Sequence, residues 1–415
     1  MTAAVLTDAE RAAGARLMAR LDAFAAFTDE PGRLTRLFLS PAHARAAAAY
    51  IGWCAEIGLE ARIDAAGNVV ARYEGRKAGA PALMLGSHID TVRDAGRYDG
   101  NYGALAALAV VEDLAARGER LDHAVEIVAF GDEEGVRWRT TLTGSLALAG
   151  AYPEDALDQK DTSGVMMRDA LTAFGGDPDK ALGLRMDRIT AFAEAHIEQG
   201  PVLEAEGLPI GIVTAINGAT RLEVGVDGLA GHAGATPMNL RRDSFSAVAE
   251  MALMIERRAR AEPDLVATIG RVETWPGAAN VIPGNTRFSI DLRAPLDAAR
   301  TAALADIRAG IEAIARARNV VATVAKTHEA PAYTCDPRIV AGITRAVQSL
   351  GLPARALPSG AGHDTMAIGR FRPAGMLFVR CKGGISHNPL ESITEQDCAV
   401  GLAAFARFAR AFKAN

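Results

Sequence analysis

Residues 81–100 read PALMLGSHIDTVRDAGRYDG. An apolar run short enough to be a buried strand gives way at once to a glycine-punctuated polar loop that carries His88, Asp90 and Asp99. A solvated loop needs polarity, but it does not need an imidazole and carboxylates in this order. The figure recurs at 124–135, where AVEIVAF runs straight into GDEEG. Around these runs, AHARAAAAYIGWCAEIG (42–58) and ALAALAVVEDLAARG (104–118) have helical apolar stripes. Strands alternating with helices predict an α/β domain with a largely parallel central sheet covered on both faces. Ligands bind such sheets beyond the carboxyl ends of the strands, which is where both polar loops lie.

The pattern changes at about residue 213. TRLEVGVDG (220–228) alternates as a half-buried strand, and DSFSAVAEMALMIERRARAE (243–262) is a long amphipathic helix. LVATIGRVETW (265–275) and NTRFSIDLRAP (285–295) look like paired antiparallel strands. A second helix (296–319) and the strand VVATVAKT (320–327) complete a compact α+β unit of four strands and two helices. AGMLFVRC (374–381) and the helix from 394 then return to the first pattern. The reading is therefore a larger domain from 1–212 and 329–415, with a smaller one, 213–328, inserted into it.

With 415 residues the chain is too long for one ordinary core, in keeping with two domains. The net charge of −5 is small for this length, and no basic cluster points to nucleic acid. No run approaches the ~20 apolar residues needed to span a bilayer. The N-terminal stretch 1–27 mixes acidic residues with an amphipathic period and reads as a surface helix, not a signal peptide. Cys54, Cys335, Cys381 and Cys398 show neither paired spacing nor density, so they read as reduced thiols of a cytoplasmic protein.

Three of the eight histidines sit in short polar, glycine-containing or acidic contexts: His88 in GSHIDT, His196 in AHIEQGP and His387 in ISHNPLE. With Asp99 and Glu134 they form a mixed imidazole and carboxylate set suited to zinc, manganese, cobalt or nickel. Five ligands exceed what one open catalytic site needs, and they suffice for two divalent ions if Asp99 bridges them. Asp90, two residues after His88, is placed to accept the other ring N–H and fix its tautomer. Adjacent glutamates point apart, so a divided role follows: Glu134 binds metal, while Glu133 moves a proton from water to a leaving nitrogen. Singly, each motif has a bland explanation as a loop pair, a solvated turn or a satisfied buried histidine. Their joint recurrence after strand-like runs makes metal-assisted hydrolysis the stronger reading.

The segments GSHIDTV, GRYDGNYG, GDEEGVRW, TLTGS, HIEQGPVLE, GHAGATPM, GAANVIPG, DLRAP and SHNPLE, in this order, resemble the hydantoinase/carbamoylase amidases. That family includes N-carbamoyl-L-amino-acid hydrolases, β-ureidopropionases and allantoate amidohydrolases, and is related to zinc aminopeptidases and aminoacylases. The resemblance implies a zinc-peptidase-like catalytic domain with a two-metal site and an inserted lid that also forms a homodimer. It implies one ion on His88, Asp99 and His196, the other on Asp99, Glu134 and His387, and Glu133 as general base. A histidine in HIEQG, where the peptidase relatives usually have an acidic ligand, argues against a peptidase. Gln199 and His232 match contacts to the ureido group, with His232 a transition-state stabiliser that reaches within or across the dimer. Asn280 and Arg293 match the residues that hold the substrate carboxylate, and an arginine fork suits that partner. Gly360 and Gly362 in PSGAGHDTM would add backbone N–H groups, with His363 and Asp364 touching ligand or shaping the loop.

The expected reaction is hydrolysis of a ureido or carbamoyl C–N bond in a small carboxylate, releasing ammonia and carbon dioxide. The wording around 86–100 and 132–145 is closer to the allantoate amidohydrolases than to the carbamoyl-amino-acid enzymes. An aminoacylase or peptidase, and a non-catalytic binding protein keeping the fold, stand as more remote alternatives.

Overall fold

The computed structural model describes residues 4–414. They divide into two compact units: 4–214, 335–357 and 361–414 in one, and 215–334 with 358–360 in the other.

The larger unit is built on a nine-stranded sheet. Its centre consists of Ala124–Phe130, Ala82–His88, Ile189–Ile197 and Ala374–Val379, in that spatial order, all parallel. Ala82–His88 is buried along its whole length, as a strand covered on both faces must be. Outside this run the sheet also carries antiparallel pairs. Ala61–Ile63 and Val69–Tyr73 form an antiparallel hairpin on one side, and Ile210–Ile216 runs antiparallel to Ala374–Val379 on the other. The sheet is therefore mixed, which corrects the expectation of a largely parallel one. The hairpin is made locally: the Asp64 carboxylate accepts the N–H groups of Ala66 and Asn68, and Gly67 takes φ +87° to close the turn. Strands of three and five residues carry too little alternation to stand out in the sequence.

Two close approaches seat the helices that matter for the site. Helix Asn101–Ala116 lies hard against the sheet, because a Cβ on Gly103 would collide with the carbonyl oxygen of Ala195. Helix Asp8–Phe24, started by a reciprocal Thr7–Glu10 cap, packs on helix Glu395–Ala411 where Gly14 leaves room for Ala399. The four cysteines are buried free thiols. Among the described residues, no helix is long and apolar enough to cross a membrane.

The smaller unit has a five-stranded antiparallel sheet, where four strands were expected. The run 265–275 is two strands, Val266–Thr268 and Val272–Trp275, both paired with Asn285–Ala294. Between them the Ser289 hydroxyl accepts the Arg271 N–H, and that side-chain bond replaces a rung of the ladder. Helices Ser244–Arg260 and Asp297–Ala317 cover one face, burying Leu222, Val224, Phe288 and Ile290 against Met251, Ile255, Ile307 and Ile311. A further ribbon, Gly231–His232 with Val281–Ile282, was not anticipated.

Candidate metal centre

The larger unit gathers the residues expected to ligate metal. His88 ends the strand Ala82–His88, Glu133 and Glu134 follow Ala124–Phe130, and His196 lies at the end of Ile189–Ile197. Three overlapping sets have candidate ligand atoms within 4.8 Å of one another: His88, Asp99 and His196; His88, Glu133 and Glu134; and Asp99, Glu134 and His387.

Asp99 connects these sets through its two oxygens. Oδ1 lies 3.2 Å from His196 Nε2 and 3.5 Å from His88 Nε2. Oδ2 lies 3.2 Å from His387 Nε2, which is itself 3.6 Å from Glu134 Oε2. Gln199 donates to the same Oδ2 at 2.8 Å, so this residue meets a candidate ligand carboxylate.

The imidazoles are oriented from behind. His88 Nδ1 donates to the backbone carbonyl of Asp90 at 3.0 Å, and His196 Nδ1 to that of Ile197 at 2.9 Å. Both rings thereby turn Nε2 toward Asp99, and that of His196 also accepts the Gly100 N–H at 3.1 Å. The role expected of the Asp90 side chain needs correction here. Its carboxylate is 3.8 Å from His88 Nδ1 and instead accepts the backbone N–H of Glu133 and of Glu134, each at 3.2 Å. The backbone carbonyl takes the ring proton because the chain turns immediately after His88, leaving the side chain free to reach the neighbouring loop.

Electrostatically the cluster needs positive charge. Burial raises Glu133 well above the usual carboxylate range, opposed by His88 and reinforced by the charges of Glu134, Asp364 and Asp90. Burial, then the charge of Asp99, pushes Glu134 up to about 7. Burial works to raise Asp99 as well, but the neighbouring imidazoles of His196, His387 and His88 outweigh it and hold Asp99 well below its ordinary value. Asp99 first of all, then Glu134, pushes His387 up to about 9 against its burial. Asp99 Oδ1 and Glu134 Oε1 are buried with no hydrogen-bond partner. Imidazole nitrogens and orphaned carboxylate oxygens converging on one place are what a divalent cation satisfies, so the donor set fits metal ions.

Several contributors were not read from the sequence. Asp132 is held at φ +64° and accepts the hydroxyls of Thr140 and Thr143, which shapes the turn that presents Glu133. Gln199 and His387 are also at positive φ, +57° and +54°. The buried guanidinium of Arg36 donates to the carbonyl of Ile89 and to Asn101 Oδ1, tying together the loops after His88 and Asp99. Asp132, Thr140 and Thr143 had only their nearness to the motifs as a sequence signal and Arg36 had none, whereas Gln199 and His387 were expected at the site.

Of the remaining candidates, His363 is buried with its ring edge-on to His196 at 4.5 Å, and Asp364 is fully buried. A fourth set, Glu194, His196 and His363, has its glutamate already satisfied by Ser87 and Thr365. Gly362 belongs to this unit; Gly360 belongs to the smaller one. There, the ribbon sets His232 beside Asn280, whose carbonyl accepts the Ala233 N–H at 2.9 Å, and both side chains are exposed. Arg293 stands on the strand Asn285–Ala294. Its Nε and Nη2 donate to Asp291 at 2.9 and 3.0 Å, and Nη1 donates to the carbonyl of Gly360 at 2.8 Å.

Residues 84–411 match the model of peptidase family M20/M25/M40. An amidase of the hydantoinase/carbamoylase family from Burkholderia multivorans has the same fold, with a TM-score of 0.91, 33% identity, and 95% of this chain and 97% of that one covered. The chain belongs to this amidase family. The chain is also similar to allantoate deiminase from Arabidopsis thaliana, 39% identical, with 93% of this chain and 80% of that protein covered. The N-carbamoyl-L-amino acid amidohydrolase of Geobacillus stearothermophilus is 40% identical, with 94% and 96% covered. Membership makes the chain a hydrolase of a metal-dependent family, in agreement with the donor set.

Proposed function

We propose that the protein hydrolyses the terminal ureido C–N bond of a small carboxylate, with allantoate as the substrate. The observation that supports this most is the division of Asp99, whose two oxygens face separate imidazole-containing ligand sets. In this reading His88, Asp99 and His196 hold one ion, and Asp99, Glu134 and His387 hold a second, each zinc or manganese, with cobalt or nickel suited to the same donors. When bound, the ions supply Lewis acidity toward the ureido carbonyl and acidify water.

The chain's own residues carry the rest. Glu133 takes the proton of the attacking water and gives it to the departing nitrogen, a task that suits a carboxyl whose affinity for protons is raised by burial. Asp90 holds Glu133 in place through its backbone N–H. Gln199 and His232 address the ureido group, Arg293 and Asn280 the carboxylate, and the N–H groups of Gly360 and Gly362 complete that pocket. Cleavage yields ammonia and a carbamate, which loses carbon dioxide to leave the amine. A homodimer working in the cytoplasm, with the inserted unit as its lid and contact surface, belongs to the same reading.

N-carbamoyl-L-amino acids are the second reading, favoured by the 40% identity to the Geobacillus enzyme. They share the ureido group and the carboxylate with allantoate. Ammonia release by the manganese-loaded protein, offered allantoate and a panel of N-carbamoyl-L-amino acids side by side, separates the two. Turnover of allantoate above the panel is expected. Preference for the panel would move the substrate and keep the mechanism, while ammonia from neither would overturn the proposal.

A further inference from the structure

Glu391 belongs to none of the ligand sets, yet it is bonded to both loops that supply the Oδ2 side of Asp99. Its Oε1 accepts the backbone N–H of Tyr98 at 2.8 Å and of Asp99 at 3.1 Å. Its Oε2 accepts the Ser386 hydroxyl at 3.0 Å. The residue is 4% exposed, and Gly96 lacks a side chain where a Cβ would collide with the Glu391 carboxyl group. The Ser386 oxygen also lies 2.8 Å from Asp99 Oδ2, and the next residue is His387, whose Nε2 is 3.2 Å from that same oxygen. One buried carboxylate thus registers the Asp99 loop against the Ser386 loop, 287 residues further along the chain. The Oδ1 side is oriented independently, by the carbonyls of Asp90 and Ile197 behind His88 and His196.

We propose that Glu391, acting through Ser386, is the positioning residue for the ligand set of Asp99 Oδ2, Glu134 and His387, and so selectively for the ion held there. This rests on the two-ion reading above. Removing Glu391 frees the His387 loop from the Asp99 loop while leaving the bonds behind His88 and His196 in place. The consequence is loss of one ion, not a general loosening.

The test is a metal titration of the full-length protein, counting manganese ions per chain in the presence of a competing chelator, with thermal denaturation of the metal-free forms alongside. The wild type should bind two ions. Glu391→Ala should retain one and bind the second about 10–100-fold more weakly, the range seen when a group orienting a ligand is lost. Glu391→Gln keeps an acceptor for the two amides and should retain both. Ser386→Ala leaves no backbone amide unpaired and carries the test if Glu391→Ala fails to fold; it too should weaken only the second ion. A purely structural Glu391 would lower the melting temperature of metal-free and loaded protein alike while two ions bound at wild-type affinity, and that result would overturn the proposal. A wild type binding a single ion would instead refute the two-ion reading, and the role of Glu391 with it.

Discussion

Asp90 holds Glu133 by its backbone: Oδ1 accepts the Glu133 N–H at 3.2 Å, and Oδ2 does the same for Glu134. A carboxylate that is 2% exposed thus sets the position of the expected base without touching its side chain. Asp90→Ala leaves two N–H groups unpaired, a penalty of about 1–3 kcal/mol for each one that stays buried. Asp90→Asn keeps a single acceptor. For Asp90→Asn we expect kcat to fall about 10–100-fold with metal content unchanged. If Asp90 worked instead by orienting His88, metal binding would weaken in parallel, which elemental analysis of the purified variant would show.

The adjacent glutamates are expected to fail differently. Glu133→Gln removes the proton carrier and should lower kcat about 10²–10⁴-fold while the protein keeps its metal. Glu134→Gln removes one ligand and should release metal, with activity recovering partly in excess manganese. Equal metal loss in both variants would refute the division of roles.

Gly100 is a position where a side chain cannot be added cheaply. It has φ +63°, and a Cβ would collide with the His88 ring. Gly100→Ala should destabilise the protein by about 1–3 kcal/mol through the backbone alone. It should also displace His88 and abolish tight metal binding, while the far-ultraviolet circular dichroism stays that of the folded chain. Wild-type metal affinity in this variant would contradict the placement of His88.

Acid stability is expected to depend on His43, which belongs to none of the candidate ligand sets. Its Nδ1 accepts the Leu39 N–H at 3.0 Å, and its ring stacks on Phe174 at 4.8 Å. Burial, helped by the charges of Arg36 and Arg137, pushes it down to about 3. The unfolded chain protonates this imidazole near pH 6.5, so between pH 6.5 and 3 the unfolded state binds the extra proton. The contribution of a neutral His43 is therefore complete above pH 6.5 and declines by about 1.4 kcal/mol per pH unit below it. Urea denaturation at pH 7.5 and pH 5 should show His43→Gln less stable than wild type at the higher pH, with a shallower decline toward acid. Parallel pH profiles would show that His43 is not held neutral.

Much of the candidate metal centre was legible because several of its candidate ligands stand at or just beyond the ends of buried, apolar strands. His88, Glu134 and His196 needed only the rule that ligands gather beyond the carboxyl ends of parallel strands. Glu391 and Ser386 were missed because their partners lie some 290 residues away, and a glutamate in a polar loop looks solvated until the fold buries it. Arg36 was missed for a related reason: four of its five donors' bonds end on main-chain or amide oxygens that have no sequence signature. The Asp90 spacing pointed to the His88 ring, yet the local turn gives that ring a carbonyl. In the sheet, the long buried strands were readable, whereas the short hairpin of 61–73 and the break at Gly270 depend on side-chain bonds to the backbone.

The most direct measurement of the central claim is ammonia release from allantoate by protein stripped with a chelator and then titrated with manganese. The account predicts no turnover in the stripped protein and a rise in rate that ends at two ions per chain, with Glu133→Gln about 10²–10⁴-fold slower at every point of the titration. Full activity in the stripped protein, or a titration complete at one ion, would contradict it.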